Sequence, residues 1–144
     1  MIAVDSNVLL RRILDDDVEQ AERARRLFDR NEVVLITDIV LAETIWTLRG
    51  RRYGVGKDDL VAVIMALLED ASIAFEDRQA VWSALNDYVE ARPVKTADGL
   101  RSADLTDALI VNKAKAVVRS KGERYGGMYT FDQAALALAG TNEP

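Results

Sequence analysis

Apolar and polar positions follow two patterns that alternate along the chain. Short apolar runs indicate buried strands, and the segments between them place apolar residues three and four positions apart, as amphipathic helices do. The predicted strands, each an apolar run bounded by polar residues, are Ile2–Asp5, Val33–Thr37, Ser72–Glu76 and Met128–Asp132. The predicted helices are Ser6–Leu14, Asp17–Arg30, Ile39–Arg49, Asp58–Asp70, Arg78–Ala91, a long helix from Ser102 or Asp104 to Lys121, and Gln133–Ala139.

The order of these elements predicts the fold class. Strands separated by helices, without a hairpin signal, indicate a mainly parallel sheet, because parallel neighbours need a crossover connection. We therefore expect an α/β fold in which helices flank a central sheet of four to five strands. No repeat, low-complexity segment or linker breaks the pattern, so residues 1–144 are expected to form a single domain. Ser6 or Asn7 is expected to cap the first helix, and Asp38 the third.

The residue types that are absent narrow the chemistry. The sequence has no Cys and no His. Thiolate nucleophiles, cysteine or histidine zinc sites and Ser-His-Asp triads are therefore excluded. An enzyme of this composition would depend on carboxylates, hydroxyls, Lys, Arg, Tyr or a bound hard cation. The net charge of -5 argues against binding nucleic acid over the whole surface, but a cation could neutralise an acidic site locally.

The hydrophobic pattern predicts no membrane segment. No apolar run approaches the roughly 20 residues that a membrane-spanning helix needs. Asp5 interrupts the first apolar run and no basic segment precedes it, so no signal peptide is expected. The lack of Cys fits a reducing compartment, and we expect a cytoplasmic protein.

Five acidic residues occupy positions where a functional site is expected. Asp5 and Asp132 end predicted strands, and parallel α/β sheets bind their ligands at that end of the strands. Glu43 lies in the middle of an apolar helix. Asp104 and Asp107 begin the long helix, and their spacing of three residues places them on the same side of it. Together the five carboxylates suggest one acidic site.

Each of these acids also has a structural interpretation. Asp5 and Asp132 could simply cap the helices that follow them. Asp104 and Asp107 have the spacing of a capping box, and for Asp104 the cap is the favoured interpretation. Glu43 lies either on a solvent-exposed stripe of its helix or beside a binding partner.

Four short motifs, in the same order and with similar spacing, resemble those of PIN-domain ribonucleases. The motifs are Ile2–Leu9, Val40–Glu43, Asp104–Ile110 and Thr130–Asp132. The resemblance extends over nearly the whole chain and implies a PIN-like domain. The size of the chain makes it most similar to VapC-type toxins, which are the toxic members of toxin–antitoxin pairs.

The resemblance implies a hydrolase, an endoribonuclease that depends on Mg²⁺ or Mn²⁺. Carried over by position, the catalytic acids are Asp5, Glu43, Asp107 and Asp132. Asp5 and Asp107 would bind the metal directly, and the other two acids and Asp104 are further candidate ligands. Asn7 and Thr130 would orient carboxylates or water.

Basic side chains would have to hold the RNA backbone, because an acidic site repels phosphate. The candidates for RNA contact form the densest basic cluster, Arg49, Arg51 and Arg52, although a solvated charged surface is the alternative. The resemblance also implies a cognate antitoxin protein and a homodimer. The apolar face with Ile45, Trp46 and Leu48 is either a partner surface or part of the core.

Two other functions compete with the ribonuclease. An aspartate-based phosphatase would carry Asp-x-Asp after the first strand, and Asn7 at the third position argues against it. A non-catalytic PIN-fold interaction module would keep the fold without the reaction. A pure binding protein, however, has no reason to retain mutually repelling carboxylates.

Overall fold

The structure is a computed structural model that describes residues 1–30 and 33–144. The chain divides into two compact units, Met1–Arg78 and Gln79–Pro144, which we call the N-terminal and the C-terminal unit. The expected α/β class with parallel strand pairing is confirmed. The expectation of a single domain stays a prediction.

The N-terminal unit is built on a parallel sheet with the strand order β1–β2–β3. Its strands are β1 (Ile2–Ala3), β2 (Val34–Ile36) and β3 (Ile73–Phe75). Between them run the helices α1 (Ser6–Ile13), α2 (Val18–Phe28), α3 (Asp38–Arg49) and α4 (Lys57–Glu69). The register pairs Val34 with Ile2 on one side and with Ile73 on the other. Because all three strands are parallel, the connections between them cross over through helices.

Leucine side chains at helical spacing form much of the core of the N-terminal unit. Leu9 on α1, Leu41 and Leu48 on α3, and Leu60 on α4 are each at most 1% exposed. Burial of each such side chain contributes roughly 1.5–3 kcal/mol. Helix α1 packs against α2 and α3. The packing of α1 against α2 and α3 therefore fixes the position of its first turn.

The C-terminal unit contains helices and two short pairs of strands. Helix α5 (Arg78–Glu90) begins at the last residue of the N-terminal unit and is followed by an antiparallel hairpin. The remaining elements, in chain order, are β4 (Val94–Thr96), β5 (Gly99–Arg101), α6 (Leu105–Ser120), β6 (Met128–Tyr129), a 3-10 helix (Ala135–Ala137) and β7 (Thr141–Asn142). Strands β6 and β7 pair in parallel. The buried side chains of Tyr88 on α5 and of Leu105 and Leu109 on α6 belong to the core.

The hairpin β4–β5 lies between the predicted helix Arg78–Ala91 and the long helix, in a stretch for which the sequence predicts neither a helix nor a strand. Thr96 pairs with Gly99 across a two-residue turn, Ala97–Asp98, and Gly99 has a φ of +102°, which favours glycine. Asp-Gly is a known hairpin signal, but these short strands are mostly exposed and lack an apolar alternation. The prediction that no hairpin is present was wrong.

The end of the chain also differs from the prediction. The expected strand Met128–Asp132 is limited to β6, and the expected helix Gln133–Ala139 is one 3-10 turn. The Thr141 hydroxyl donates to the carbonyl oxygen of Leu138 at 2.7 Å, and the carbonyl oxygen of Ala135 accepts from the N–H of Leu138 at 3.0 Å, so these carbonyls are satisfied without a further helical turn. In the described ranges, the hydrogen-bonded strands form one three-stranded sheet and two pairs, where one sheet of four to five strands was expected.

The caps of α1 and α3 are Asp5 and Thr37. Asp5 caps α1, where Ser6 or Asn7 was predicted. Thr37 caps α3, because its hydroxyl accepts from the N–H of Val40 at 3.4 Å, and Asp38 is the first helical residue. No helix within the described ranges is both long and apolar enough to cross a membrane.

Candidate active site

Asp5 combines a structural contact with an accessible carboxylate. It follows β1, and its Oδ1 accepts a 2.9 Å hydrogen bond from the backbone N–H of Val8 at the start of α1. The capping interpretation of Asp5 is therefore confirmed. Asp5 is exposed, and its Oδ2 accepts no hydrogen bond from the described residues. Oδ2 is thus available to a ligand while Oδ1 stabilises the helix.

Glu43 lies on the exposed side of α3. Its carboxylate has no hydrogen-bond partner in the described part of the chain. Ile39, one turn before it, and Trp46, one turn after it, are 80% and 76% exposed. Glu43 therefore lies on an exposed stripe of α3, where its carboxylate is accessible to a ligand, and its role stays a prediction. Ile45 and Leu48 of the proposed partner surface are buried in the core, which leaves Trp46 at the surface.

Asp104 and Asp107 form a capping box at the start of α6. Oδ1 of Asp104 accepts from the N–H of Leu105, and Oδ2 of Asp107 accepts from the N–H of Asp104, both at 2.9 Å. The predicted cap at Asp104 is confirmed. Oδ1 of Asp107 accepts no hydrogen bond from the described residues, so this carboxylate also keeps one oxygen for another role.

Asp107 is half-buried and has an altered acidity. Burial raises the pKa of its carboxyl group above the ordinary value, and the N–H of Asp104 partly offsets this effect. The negative charges of Asp132 and Asp104 raise the pKa further, whereas the guanidinium of Arg101 lowers it. Crowded, desolvated carboxylates are unfavourable without a counter-charge. Such groups are concentrated at functional sites.

Asp132 is held in place by backbone groups and by Thr130. Its Oδ1 accepts from the N–H groups of Ala134 (2.8 Å) and Ala135 (3.3 Å). The N–H of Asp132 in turn donates to the hydroxyl of Thr130 at 3.0 Å. Asp132 therefore closes the turn before the 3-10 helix, and the predicted cap of a helix Gln133–Ala139 is not formed, because the N-cap of the 3-10 helix is Ala134 and has no side-chain cap. Thr130 fixes the backbone from which the Asp132 carboxylate projects.

The three arginines predicted to contact RNA differ in how many contacts they make within the protein. Arg49 donates to the carbonyl oxygen of Val55 at 2.9 Å, which ties the end of α3 to the following loop. Arg52 lies 3.8 Å from Asp16 and over the ring of Tyr53. Arg51 is exposed and has no ion pair with the described residues. Of the three arginines, Arg51 is therefore the most available to bind RNA.

A second basic group, on α2, was missed by the sequence analysis. Arg23 and Arg26 lie three residues apart, a spacing that places their side chains on one face of α2, and Arg30 follows the end of this helix. Together with Arg11 and Asn7 they line a groove of about 480 Å³ in the N-terminal unit. The spacing of Arg23 and Arg26 was an available signal, but the predicted helix rests on its apolar positions alone.

The available side-chain oxygens suit a hard divalent cation. Mg²⁺ binds oxygen ligands and keeps several waters, so it needs few protein carboxylates. The Thr106 hydroxyl, in the same turn as Asp107, is buried and has no partner among the described residues. Within neither unit do the described residues gather three or more acidic side chains in an arrangement that could hold a metal ion. These oxygens are the type of ligand that Mg²⁺ and Mn²⁺ bind. A cation would also relieve the repulsion at Asp107.

Residues 2–118 match the family model for the PIN domain. The chain therefore belongs to the PIN-domain family, and the predicted family is confirmed. This membership supports the predicted class, a nuclease. The matched range includes Asp5, Glu43, Asp104 and Asp107, whereas Asp132 lies beyond it.

A solved structure also resembles the chain. It is the crystal structure of Mycobacterium tuberculosis VapC20, described as a Sarcin-Ricin loop cleaving toxin. The two chains are 26% identical, the alignment covers 95% of this chain and 94% of VapC20, and the TM-score is 0.40. No curated protein matches the chain.

Proposed function

We propose that this protein is an endoribonuclease that hydrolyses RNA phosphodiester bonds with Mg²⁺ or Mn²⁺ and acts as the toxin of a toxin–antitoxin pair. The observation that carries the proposal is the carboxylate of Asp107, half-buried and crowded by Asp132 and Asp104 in a chain of the PIN-domain family. A helix cap needs no such crowding. In a chain without His or Cys, carboxylates are the natural groups for this hydrolysis.

Each acid has a proposed role. Asp5 and Asp107 would bind the cation, with Glu43, Asp132 and Asp104 as further candidate ligands. When bound, the cation would stabilise charge on the phosphate and lower the pKa of the attacking water. Glu43 or Asp132 would accept the proton of that water or orient it.

The contacts of these carboxylates support their roles through positioning. One oxygen each of Asp5, Asp107 and Asp132 accepts backbone N–H groups, so the carboxylate directions are fixed before substrate binds. Groups that are already oriented need no reorganisation during the reaction. Thr130 adds to this by accepting the N–H of Asp132. Asn7, next in the first motif, is proposed to orient water or a carboxylate.

A toxin of this kind is proposed to interact with an antitoxin, with a second copy of itself and with RNA. A cognate antitoxin would place a basic side chain among the acids and so inhibit the enzyme, and a homodimer is proposed on the family resemblance. The RNA substrate would be met in the cytoplasm. VapC20 is described as cleaving the Sarcin-Ricin loop, so an RNA hairpin of that sequence is a suitable first substrate.

A cleavage assay tests the proposal. The Sarcin-Ricin hairpin, a tRNA and a single-stranded RNA are each incubated with the protein in Mg²⁺, in Mn²⁺ and in EDTA, with DNA of the same sequences as a control. We expect cleavage of at least one RNA in a metal, none in EDTA and none of the DNA. If no RNA is cleaved in either metal, the interaction module becomes the better account.

A further inference from the structure

An arginine-lined groove lies between α1 and α2 in the N-terminal unit. Arg11 on α1 and Arg23, Arg26 and Arg30 on or just after α2 line it, and it measures about 480 Å³. No acidic side chain is among the described residues of its lining. This concentration of positive charge occurs in a chain whose net charge is -5. We call it the arginine groove.

Among the described residues, two of the four guanidinium groups have no counter-ion. Arg11 donates to Asp16 at 2.7 Å and to the side-chain oxygen of Gln20 at 2.8 Å. Arg26 pairs with Glu22. Arg23 and Arg30 are exposed and form no ion pair within residues 1–30 and 33–144. Arg23 and Arg26 lie three residues apart on α2, and neighbouring like charges on a helix repel each other. The arrangement therefore points to an anionic ligand.

The arginine groove is connected to the candidate catalytic carboxylate through α1. Asn7 and Val8 line the groove at its α1 side. The N–H of Val8 is the group that donates to Oδ1 of Asp5. A polyanion lying in the groove would therefore pass beside the turn that Asp5 caps.

We propose that the arginine groove binds phosphates of the RNA substrate. The choice of RNA rests on the proposed function. Guanidinium groups match phosphate oxygens with two parallel hydrogen bonds, which suits a repeated phosphate backbone. No aromatic side chain lines the groove in the described residues, so base stacking is absent and binding depends little on sequence. An acidic protein segment could use the same arginines, but the link to Asp5 favours the substrate.

RNA binding, measured in EDTA so that no metal-dependent cleavage occurs, tests the proposed role of the arginine groove. A fluorescent single-stranded RNA is titrated in EDTA with the parent protein, with Arg23→Gln/Arg30→Gln, and with the control Arg25→Gln/Arg119→Gln. The control removes the same charge from exposed arginines outside the groove, and its Arg25 is paired with Asp15. We expect the groove variant to lose about tenfold in RNA affinity and the control less than about threefold. The slope of log affinity against log salt should fall by about 1.4 for the groove variant, since each phosphate contact contributes about 0.7.

Equal losses in the groove variant and the control would overturn the proposal, as would a parent protein that binds no RNA. Poly-L-glutamate serves as the second probe. If the groove variant loses affinity for this peptide while its RNA affinity is unchanged, the groove binds an acidic protein segment instead of RNA.

Cleavage by the parent in Mg²⁺ is measured separately. A parent that binds RNA through the groove but cleaves none contradicts the proposed function alone, and unaffected RNA binding by the groove variant of an active enzyme contradicts the groove alone.

Discussion

Asp104 and Asp107 close the first turn of α6 reciprocally: the N–H of Asp104 donates to Oδ2 of Asp107 at 2.9 Å, and the Asp104 side chain caps the same turn. The structural and the chemical interpretation of Asp107 are therefore compatible, because the cap uses one oxygen. The other oxygen belongs to a half-buried carboxylate whose charge is opposed by burial and by two neighbouring acids.

The raised pKa of Asp107 predicts how stability depends on pH without metal. The folded state holds the proton more strongly than the unfolded chain does, so the stabilisation is complete below the ordinary carboxyl pKa. It is lost as the pH rises through the raised pKa. Asp107→Asn keeps an oxygen acceptor for the cap and cannot ionise. Its stability relative to the parent should therefore increase with pH across this window, as measured by urea unfolding in EDTA at a series of pH values.

Asp98→Asn is the control for that experiment, because Asp98 is an exposed acid in the turn of the β4–β5 hairpin. Its unfolding free energy should follow that of the parent at every pH. If the curves of Asp107→Asn and the parent are parallel, the ionised Asp107 carries no penalty in the folded protein.

Two substitutions of Asp5 separate the effect of its helix cap from the effect of its negative charge. Asn is as good an N-cap as Asp, whereas Ala loses the hydrogen bond from Val8 and should cost about 1 kcal/mol of stability. We expect Asp5→Asn and Asp5→Ala to lose cleavage equally, by at least about 100-fold, while only the Ala variant is destabilised. Unfolding in EDTA and initial cleavage rates give both quantities. Retained cleavage in Asp5→Asn would leave Asp5 a cap and nothing more.

Thr130 should affect the rate through the position of Asp132. Thr130→Ser keeps the hydroxyl that accepts the N–H of Asp132, and Thr130→Val removes it at nearly the same volume. Loss of such a supporting contact typically costs about 10- to 100-fold in activity or metal affinity. We expect kcat to fall by about that factor in Thr130→Val and to be preserved in Thr130→Ser. A KM effect alone, with kcat unchanged, would argue that Thr130 contacts the RNA instead.

The predicted RNA contacts Arg49 and Arg51 should behave differently. Arg49→Gln breaks the hydrogen bond to Val55, so we expect a loss of about 1 kcal/mol in unfolding free energy. Arg51→Gln should leave stability unchanged and weaken RNA binding a few-fold, with the salt dependence reduced by about 0.7. Unfolding curves and RNA titrations in EDTA measure these effects. An Arg51→Gln variant with parental RNA affinity would remove Arg51 from the RNA contacts.

Long apolar periodic segments were predictable from the sequence, and short or polar ones were not. Ser6–Leu14 was expected and Ser6–Ile13 is observed, because Leu9 and Leu10 must be buried on one face. The hairpin β4–β5 was missed because exposed strands carry no alternation of apolar residues. The last helix was overestimated because its composition gives no sign that the Thr141 hydroxyl donates to the carbonyl oxygen of Leu138.

The acids of the candidate site were predictable as positions, but their contacts were not. Strand ends and the capping-box spacing identified Asp5 and Asp107, since both depend on local sequence. That Asp107 is half-buried beside Asp132 depends on packing between segments far apart in the chain. The arginine groove was missed for a similar reason, because it joins α1 to one face of α2.

The most direct test of the central claim is the cleavage rate of one RNA substrate in Mg²⁺, in Mn²⁺ and in EDTA. The parent is compared with Asp5→Asn, Glu43→Gln, Asp107→Asn, Asp132→Asn and the control Asp98→Asn. We predict that the parent and the control cleave at similar rates only when a metal is present, and that each of the other four variants loses at least about 100-fold. Metal-independent cleavage, or full activity in Asp107→Asn, would contradict the account.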